Sequence, residues 1–258
     1  MHDTLSMIGI GAAAFAAGLV NAIAGGGSLL TFPTLVAIGL PSVEASLTNT
    51  VALCPGYLGA MLAQHQDLAG QGARMVRLLP VAAIGGVTGA LLLLGLTDER
   101  AFELVVPFLI LFAAVLLATQ EPLQRFVQSR TQARAGDAGS RSEAWAVLPV
   151  GLAAVYGGYF GAGMGVMVLA ILAVVLVDSL RRVNALKQCV SLVVNVAAAC
   201  VFLASGRIDW PIAGVMLACS LGGGALGGRI STKIPAAALR WTVVVVAVAL
   251  ATVYFVRW

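Results

Sequence analysis

Apolar residues run along this chain in ten blocks. The first five are Leu5 to Ala24, Ser28 to Leu40, Ala45 to Gln64, Met75 to Leu96 and Phe102 to Ala118. The second five are Ala144 to Ala162, Gly165 to Val177, Val183 to Ala204, Pro211 to Gly228 and Leu239 to Val256. Most have the roughly 20 residues that a helix needs to cross the hydrocarbon of a bilayer. Ser28 to Leu40 and Gly165 to Val177 do not: each holds 13 residues and directly follows a glycine hinge. The pattern predicts an all-α polytopic membrane protein with two short helices at matched places.

The hinges are related by a repeat. Sliding the sequence by 138 residues pairs Gly25 with Gly163 and Gly27 with Gly165, and also Gly85, Gly86 and Gly89 with Gly223, Gly224 and Gly227. Five glycine pairs in one register predict a duplication of two halves with about five segments each. The expected organisation is a first repeat over 1–119, a flexible linker over 120–143, rich in Arg, Gln, Ser, Gly and Ala, and a second repeat over 144–258. The other reading of the glycines is that they merely let membrane helices pack closely.

Composition strengthens the membrane assignment. The chain has 258 residues, 60% of them hydrophobic and 10% charged, and a mean hydropathy of +0.99, outside the range of soluble domains. The sequence pI of about 9.1 therefore reflects orientation in a bilayer and not nucleic-acid binding. If all ten segments alternate sides, 12 of the 15 basic residues fall on one side, which should be cytoplasmic. Both termini are then outside, and the second half enters from the opposite side to the first, so the repeats are inverted. The first segment lacks a basic leader and is read as a retained span. Cys54, Cys189, Cys200 and Cys219 have no metal or redox spacing and read as small buried hydrophobes. No cofactor is expected.

The hinges are also where chemistry is expected. A helix N-terminus presents unpaired N–H groups and positive partial charge, so two short helices starting from opposed hinges would form an anion site. Gly25, Gly26, Gly27 and Ser28 would supply one side, and Gly161, Gly163 and Gly165 the other. The competing reading is a tight helix crossing that needs no ligand. None of the 11 acidic residues lies mid-span, which favours an anion or a neutral solute over a cation.

Polar residues within spans extend the candidate site: Asn21 before the first hinge, Thr48 and Asn49 in the third segment, and Lys187, Gln188 and Ser191 in the eighth. Asn184, Lys187, Gln188, Ser191 and Asn195 are spaced to share one helical face. Lys187 either faces the cavity or snorkels to the surface as an anchor. Tyr156 and Tyr159 read as belt or packing residues. Catalysis has little support, because the two histidines, His2 and His65, lie outside the spans and no nucleophile elbow or metal cluster is present.

The run GLVNAIAGGGS from Gly18 to Ser28, followed by Pro33, Gly39, Pro41, Ala45, Thr48 and Asn49, resembles the sulfite exporter TauE/SafE family of membrane permeases. GGYFGAGMG from Gly157 to Gly165, with Asn184 to Lys187 and Gly206 to Trp210, fits the same pattern. The resemblance implies transport of sulfite, sulfoacetate or other small sulfur-containing anions across the bacterial inner membrane by two related halves. Met164 stands where the first hinge has Gly26, and Ile171 where it has Pro33, so the second hinge departs from the pattern. Implied partners are a small anionic substrate and the lipid bilayer, with a homodimer left open. The alternatives are a channel or uptake permease for another solute, a membrane-embedded enzyme, or an assembly protein that transports nothing.

Overall fold

The computed structural model describes residues 3–134, 145–176, 178–231 and 236–257, with backbone alone for 121–134, 236–239, 250 and 253–257. The described residues form helices and connections, with no strand. Ten α-helices follow the ten apolar blocks: α1 Thr4–Ile23, α2 Ser28–Ala37, α3 Ser42–Ala63, α4 Gly72–Leu96 and α5 Glu99–Arg134, then α6 Val147–Tyr159, α7 Met164–Val175, α8 Leu180–Leu203, α9 Trp210–Ile230 and α10 Ala236–Arg257. Five helices are long and apolar enough to cross a membrane: α1, α4, α5 up to Gln120, α8 and α9.

Two boundaries differ from the sequence reading. α5 continues to Arg134, so the first part of the stretch expected as a flexible linker is helical; 135–144 lie outside the described residues. Polar composition alone does not end a helix, and no Gly or Pro interrupts 123–134. The sixth block, expected to be a full span, yields only the 13 residues of α6, because Gly161 and Gly163 take positive φ just beyond it.

The first five helices and the last five pack in parallel ways. α9 lies against α1 and α3, and α4 lies against α6 and α8; α5 touches α7, and α10 touches α2. Exchanging the halves turns each of these contacts into another one that is present. Glycine makes the main crossings possible. A Cβ at Gly86 would sit 2.6 Å from the Val194 carbonyl oxygen, and one at Gly224 would strike the Gly56 carbonyl. Positions 86 and 224 are 138 residues apart, and so are 56 and 194. Close backbone approach of this kind is how helices associate where lipid removes the hydrophobic incentive.

Two ends of the bundle differ in charge. At one end Arg207 lies 3.6 Å from Glu44 and 3.7 Å from Glu99, while the other Glu99 oxygen accepts from the Val43 N–H at 3.0 Å. At the other end Arg74 pairs with Asp178 at 2.6 Å, Arg182 with Asp178 at 2.9 Å and Arg181 with Asp67 at 3.4 Å, and Gln71 donates to the Arg182 carbonyl. Two of the connections that alternation assigns to one side, those carrying Arg74 and Arg181, thus meet at one end. Exposed Trp145, Trp210 and Trp241 sit near helix starts, and Leu5, Ile8, Phe108, Leu152 and Val245 are among the large apolar side chains left bare on the flanks.

Asp178 makes the basic end sensitive to acid. Burial would raise its carboxyl, but hydrogen bonds from Arg74 and Arg182, the Ser179 N–H and the Arg182 charge outweigh that and hold it below its ordinary value. A carboxyl lowered in the folded state stabilises above its ordinary pKa, and that contribution is lost as pH falls through the folded value. The melting temperature is therefore expected to drop below about pH 4. Asp178→Asn should lower it at neutral pH and flatten the acid limb; an unchanged pH profile in differential scanning fluorimetry would remove Asp178 from that role.

Candidate functional site

The site is built where α1 stops. Asn21 is buried near the end of α1, and its Oδ1 accepts from the Gly27 N–H at 2.7 Å, folding the hinge back on itself. Gly25 and Gly26 take φ of +82° and +87°, a region that costs other residues dearly. The second hinge places its positive φ values at Gly161 and Gly163. This accounts for Met164 in the Gly26 position: Met164 begins α7 with ordinary helical backbone, and the left-handed turn has moved upstream to Gly161. Tyr156 braces this turn by donating to the Ala162 carbonyl at 2.6 Å.

The two hinges meet. A Cβ on Gly25 would lie 3.0 Å from the Val166 nitrogen, and one on Gly165 would lie 3.5 Å from the Gly25 Cα and 3.9 Å from the Lys187 Cδ. Helices α1 and α2 come to this point from the end bearing Glu44, Glu99 and Arg207; α6 and α7 come from the basic end. At about 1.5 Å per residue, α2 and α7 are about 15 and 18 Å long, about half the thickness of a bilayer core. Their N-termini face each other across Gly25 and Gly165.

Lys187 stands beside this junction with 0% exposure. Its Nζ donates to the Asn21 carbonyl at 2.9 Å, so it does not snorkel. Gln188 donates to the Asn21 and Ala22 carbonyls at 3.1 and 3.0 Å, and Asn184 to the Ala22 carbonyl and Gln64 Oε1 at 3.1 and 3.0 Å. The polar face of α8 thus caps the carbonyl end of α1, whose partial negative charge amounts to about half a unit. That offsets the ammonium only in part, and among the described residues no carboxylate is paired with it. Two buried acceptors on this face, Asn184 Oδ1 and Gln188 Oε1, and the buried Ser191 hydroxyl have no hydrogen-bond partner among the described residues.

The remaining expected residues fall nearby or elsewhere. Ser28 is buried, and the Tyr57 hydroxyl has Ser28 and Asn195 as hydrogen-bonding neighbours. Asn49 accepts from Thr31. Thr48 accepts from the Asp209 N–H at 3.2 Å, so it braces the Glu44 end and is not brought to the hinges. Sequence reasoning did not single out Tyr57 or Gln64. Tyr57 follows Thr50 by seven residues, two helical turns on the same face, which is the signal that could have found it.

Among the described residues, one opening leads toward the centre. A pocket of about 320 Å³ opens at the basic end, lined by residues that include Gln64, Gln120, Arg181 and Arg240, and reaches Ile23, Leu169 and Asn184. Asn184 is one helical turn from Lys187 and Gln188. Toward the other end Phe32, Phe102 and Phe160 pack edge to face, with centroids 5.2 to 6.5 Å apart.

Apolar helices surrounding two opposed hinged hairpins, with polar groups gathered at their tips, have the build of a multi-pass membrane transporter. The chain belongs to the sulfite exporter TauE/SafE family, whose model matches residues 10–254. It is similar to a probable membrane transporter protein of Haemophilus influenzae, 29% identical over 84% of this chain and 81% of that one. It also resembles the probable membrane transporter protein YfcA of Escherichia coli K12, 23% identical over 84% and 77%. The probable membrane transporter protein ORF9 of a Sinorhizobium species is 26% identical over 93% and 88%. No solved structure matches the chain significantly.

Proposed function

We propose that this transporter moves small sulfur-containing anions, such as sulfite, sulfoacetate or another organosulfonate, by alternating access between two inverted repeats. The single observation that carries the reading is the fully buried Lys187 at the meeting point of the two hinges, without a carboxylate partner among the described residues. An ammonium in that position needs an anion, and the N-termini of α2 and α7 add to the positive potential. Gly25, Gly26, Gly27, Ser28, Gly161, Gly163 and Gly165 would give backbone access to the ligand, with Gln188 and Ser191 beside it. Asn21 and Asn49 would shape the site from behind.

The inverted arrangement is supported by the exchange of helix contacts between halves and by the matched crossings at Gly86 and Gly224. The excess of basic residues at the pocket end favours that end as the cytoplasmic one in a bacterial inner membrane, with both termini outside. The conformation is then inward-facing, with the aromatic cluster and the Arg207 ion pairs closing the outer side.

A thermal-shift panel on the detergent-purified chain tests the reading. At a ligand concentration about 100 times Kd, mass action adds about 2.7 kcal/mol to stability, which raises the melting temperature by about 5 to 10 °C for a chain of this size. Sulfite or a sulfonate should produce that shift, and chloride and a carboxylate analogue should not. A shift with a cation or a neutral solute, and none with any of these anions, would overturn the proposal.

A further inference from the structure

We infer that the hinge site selects ligands with a single anionic head and a hydrogen-bond donor, a hydroxyl or an ammonium group, over plain anions and over dianions. This rests on the anion site proposed at Lys187 and goes further, because it follows from groups other than the lysine. Gln188 is fully buried, and its Nε2 donates to two backbone carbonyls, Asn21 and Ala22. Carbonyl oxygens have no hydrogen to give, so the amide cannot be turned around, and Oε1 is committed as an acceptor. Asn184 is in the same position: its Nδ2 donates to the Ala22 carbonyl and to Gln64 Oε1, which leaves Oδ1 as an acceptor. Among the described residues neither oxygen has a partner, nor does the Ser191 hydroxyl one turn further along α8.

Of these groups, Gln188 Oε1 and Asn184 Oδ1 offer only lone pairs next to a single ammonium, while the Ser191 hydroxyl can accept or donate. Lys187 Nζ and Gln188 Nε2 both bind the Asn21 oxygen within 3.1 Å, so the two nitrogens are at most about 6 Å apart, and Gln188 Oε1 lies on the same carboxamide. A plain oxyanion can satisfy the ammonium but sets its other oxygens against unpaired acceptors. A buried acceptor left without a donor costs about 1 to 3 kcal/mol. A ligand whose anionic head meets Lys187 while an O–H or N–H group two atoms away meets Gln188 Oε1, Ser191 Oγ or Asn184 Oδ1 satisfies both sets. A dianion such as sulfate is disfavoured twice, since one ammonium compensates one charge and sulfate brings no donor; by the same argument sulfoacetate, a donor-free dianion, ranks below hydrogen sulfite and donor-bearing sulfonates among the proposed ligands.

Calorimetric titration of the purified full-length protein tests this with four probes: ethanesulfonate, 2-hydroxyethanesulfonate, 2-aminoethanesulfonate and sulfate. The hydroxyl or the amino compound is expected to bind about tenfold tighter than ethanesulfonate or better, and sulfate weaker than ethanesulfonate; which of the two donor compounds leads tells a hydroxyl from an ammonium. Equal Kd values for ethanesulfonate and both donor compounds, or tightest binding by sulfate, would overturn the inference while leaving the anion site intact. Binding by none of the four would remove the sulfonate reading itself, and this inference with it.

Discussion

Lys187→Met is expected to raise the Kd for a sulfite or sulfonate ligand by about 100-fold or more while leaving the unliganded protein as stable as before, or more so. The two effects have one cause. An ammonium buried at 0% exposure without a carboxylate partner among the described residues costs several kcal/mol of desolvation, and the carbonyl end of α1 returns only part of it. Methionine fills a similar volume and carries no charge. The Asn21 carbonyl loses one donor but retains Gln188 at 3.1 Å. With ligand bound, the balance reverses: removing one partner of a buried, hydrogen-bonded charge pair costs about 2 to 5 kcal/mol, which is the loss of affinity. Titration calorimetry and a melting curve on the same preparation read both halves. Lost stability with unchanged affinity would make Lys187 a brace for α1 and nothing more, and the anion site would have to be sought elsewhere.

Gly86→Ala and Gly224→Ala should each destabilise the fold severely and by similar amounts, whereas Gly214→Ala should be neutral or mildly stabilising. In an exposed helix, alanine is about 1 kcal/mol better than glycine, and nothing lies within 4 Å of a Cβ at Gly214. At Gly86 the new methyl would meet the Val194 carbonyl, 2.6 Å away, and at Gly224 it would meet the Gly56 carbonyl. These are backbone atoms in packed helices and cannot swing aside, so whole helices must separate. Overpacking of this kind costs about 1 to 3 kcal/mol, occasionally more, on top of the lost close contacts. Melting temperatures of the three variants in one detergent decide the matter. A loss at one glycine only would show that the two crossings are not equivalent, and the proposed repeat would lose its main support.

Much of the architecture is legible in the sequence because it rests on local properties. Hydropathy marks the apolar segments one by one, and glycine at Gly25, Gly26 and Gly163 marks backbone that side chains would obstruct. Arginines stay at helix ends because burying them in lipid is costly, and the connections carrying Arg74 and Arg181 meet there with Asp178 and Asp67. Other features depended on what happens to lie opposite in space. No local signal says that Thr48 is taken up by the Asp209 N–H.

The amino-acid order by itself determined the segments, the two short helices, the hinges and the polar face of α8, since periodicity and backbone permissiveness reside in neighbouring residues. Tertiary structure alone decided what Lys187 does. A long side chain with a charged tip can reach water or stay inside, and sequence leaves both routes open. The choice was made when α1 ended opposite α8, its Asn21 and Ala22 carbonyls needing donors at a depth where water does not supply them.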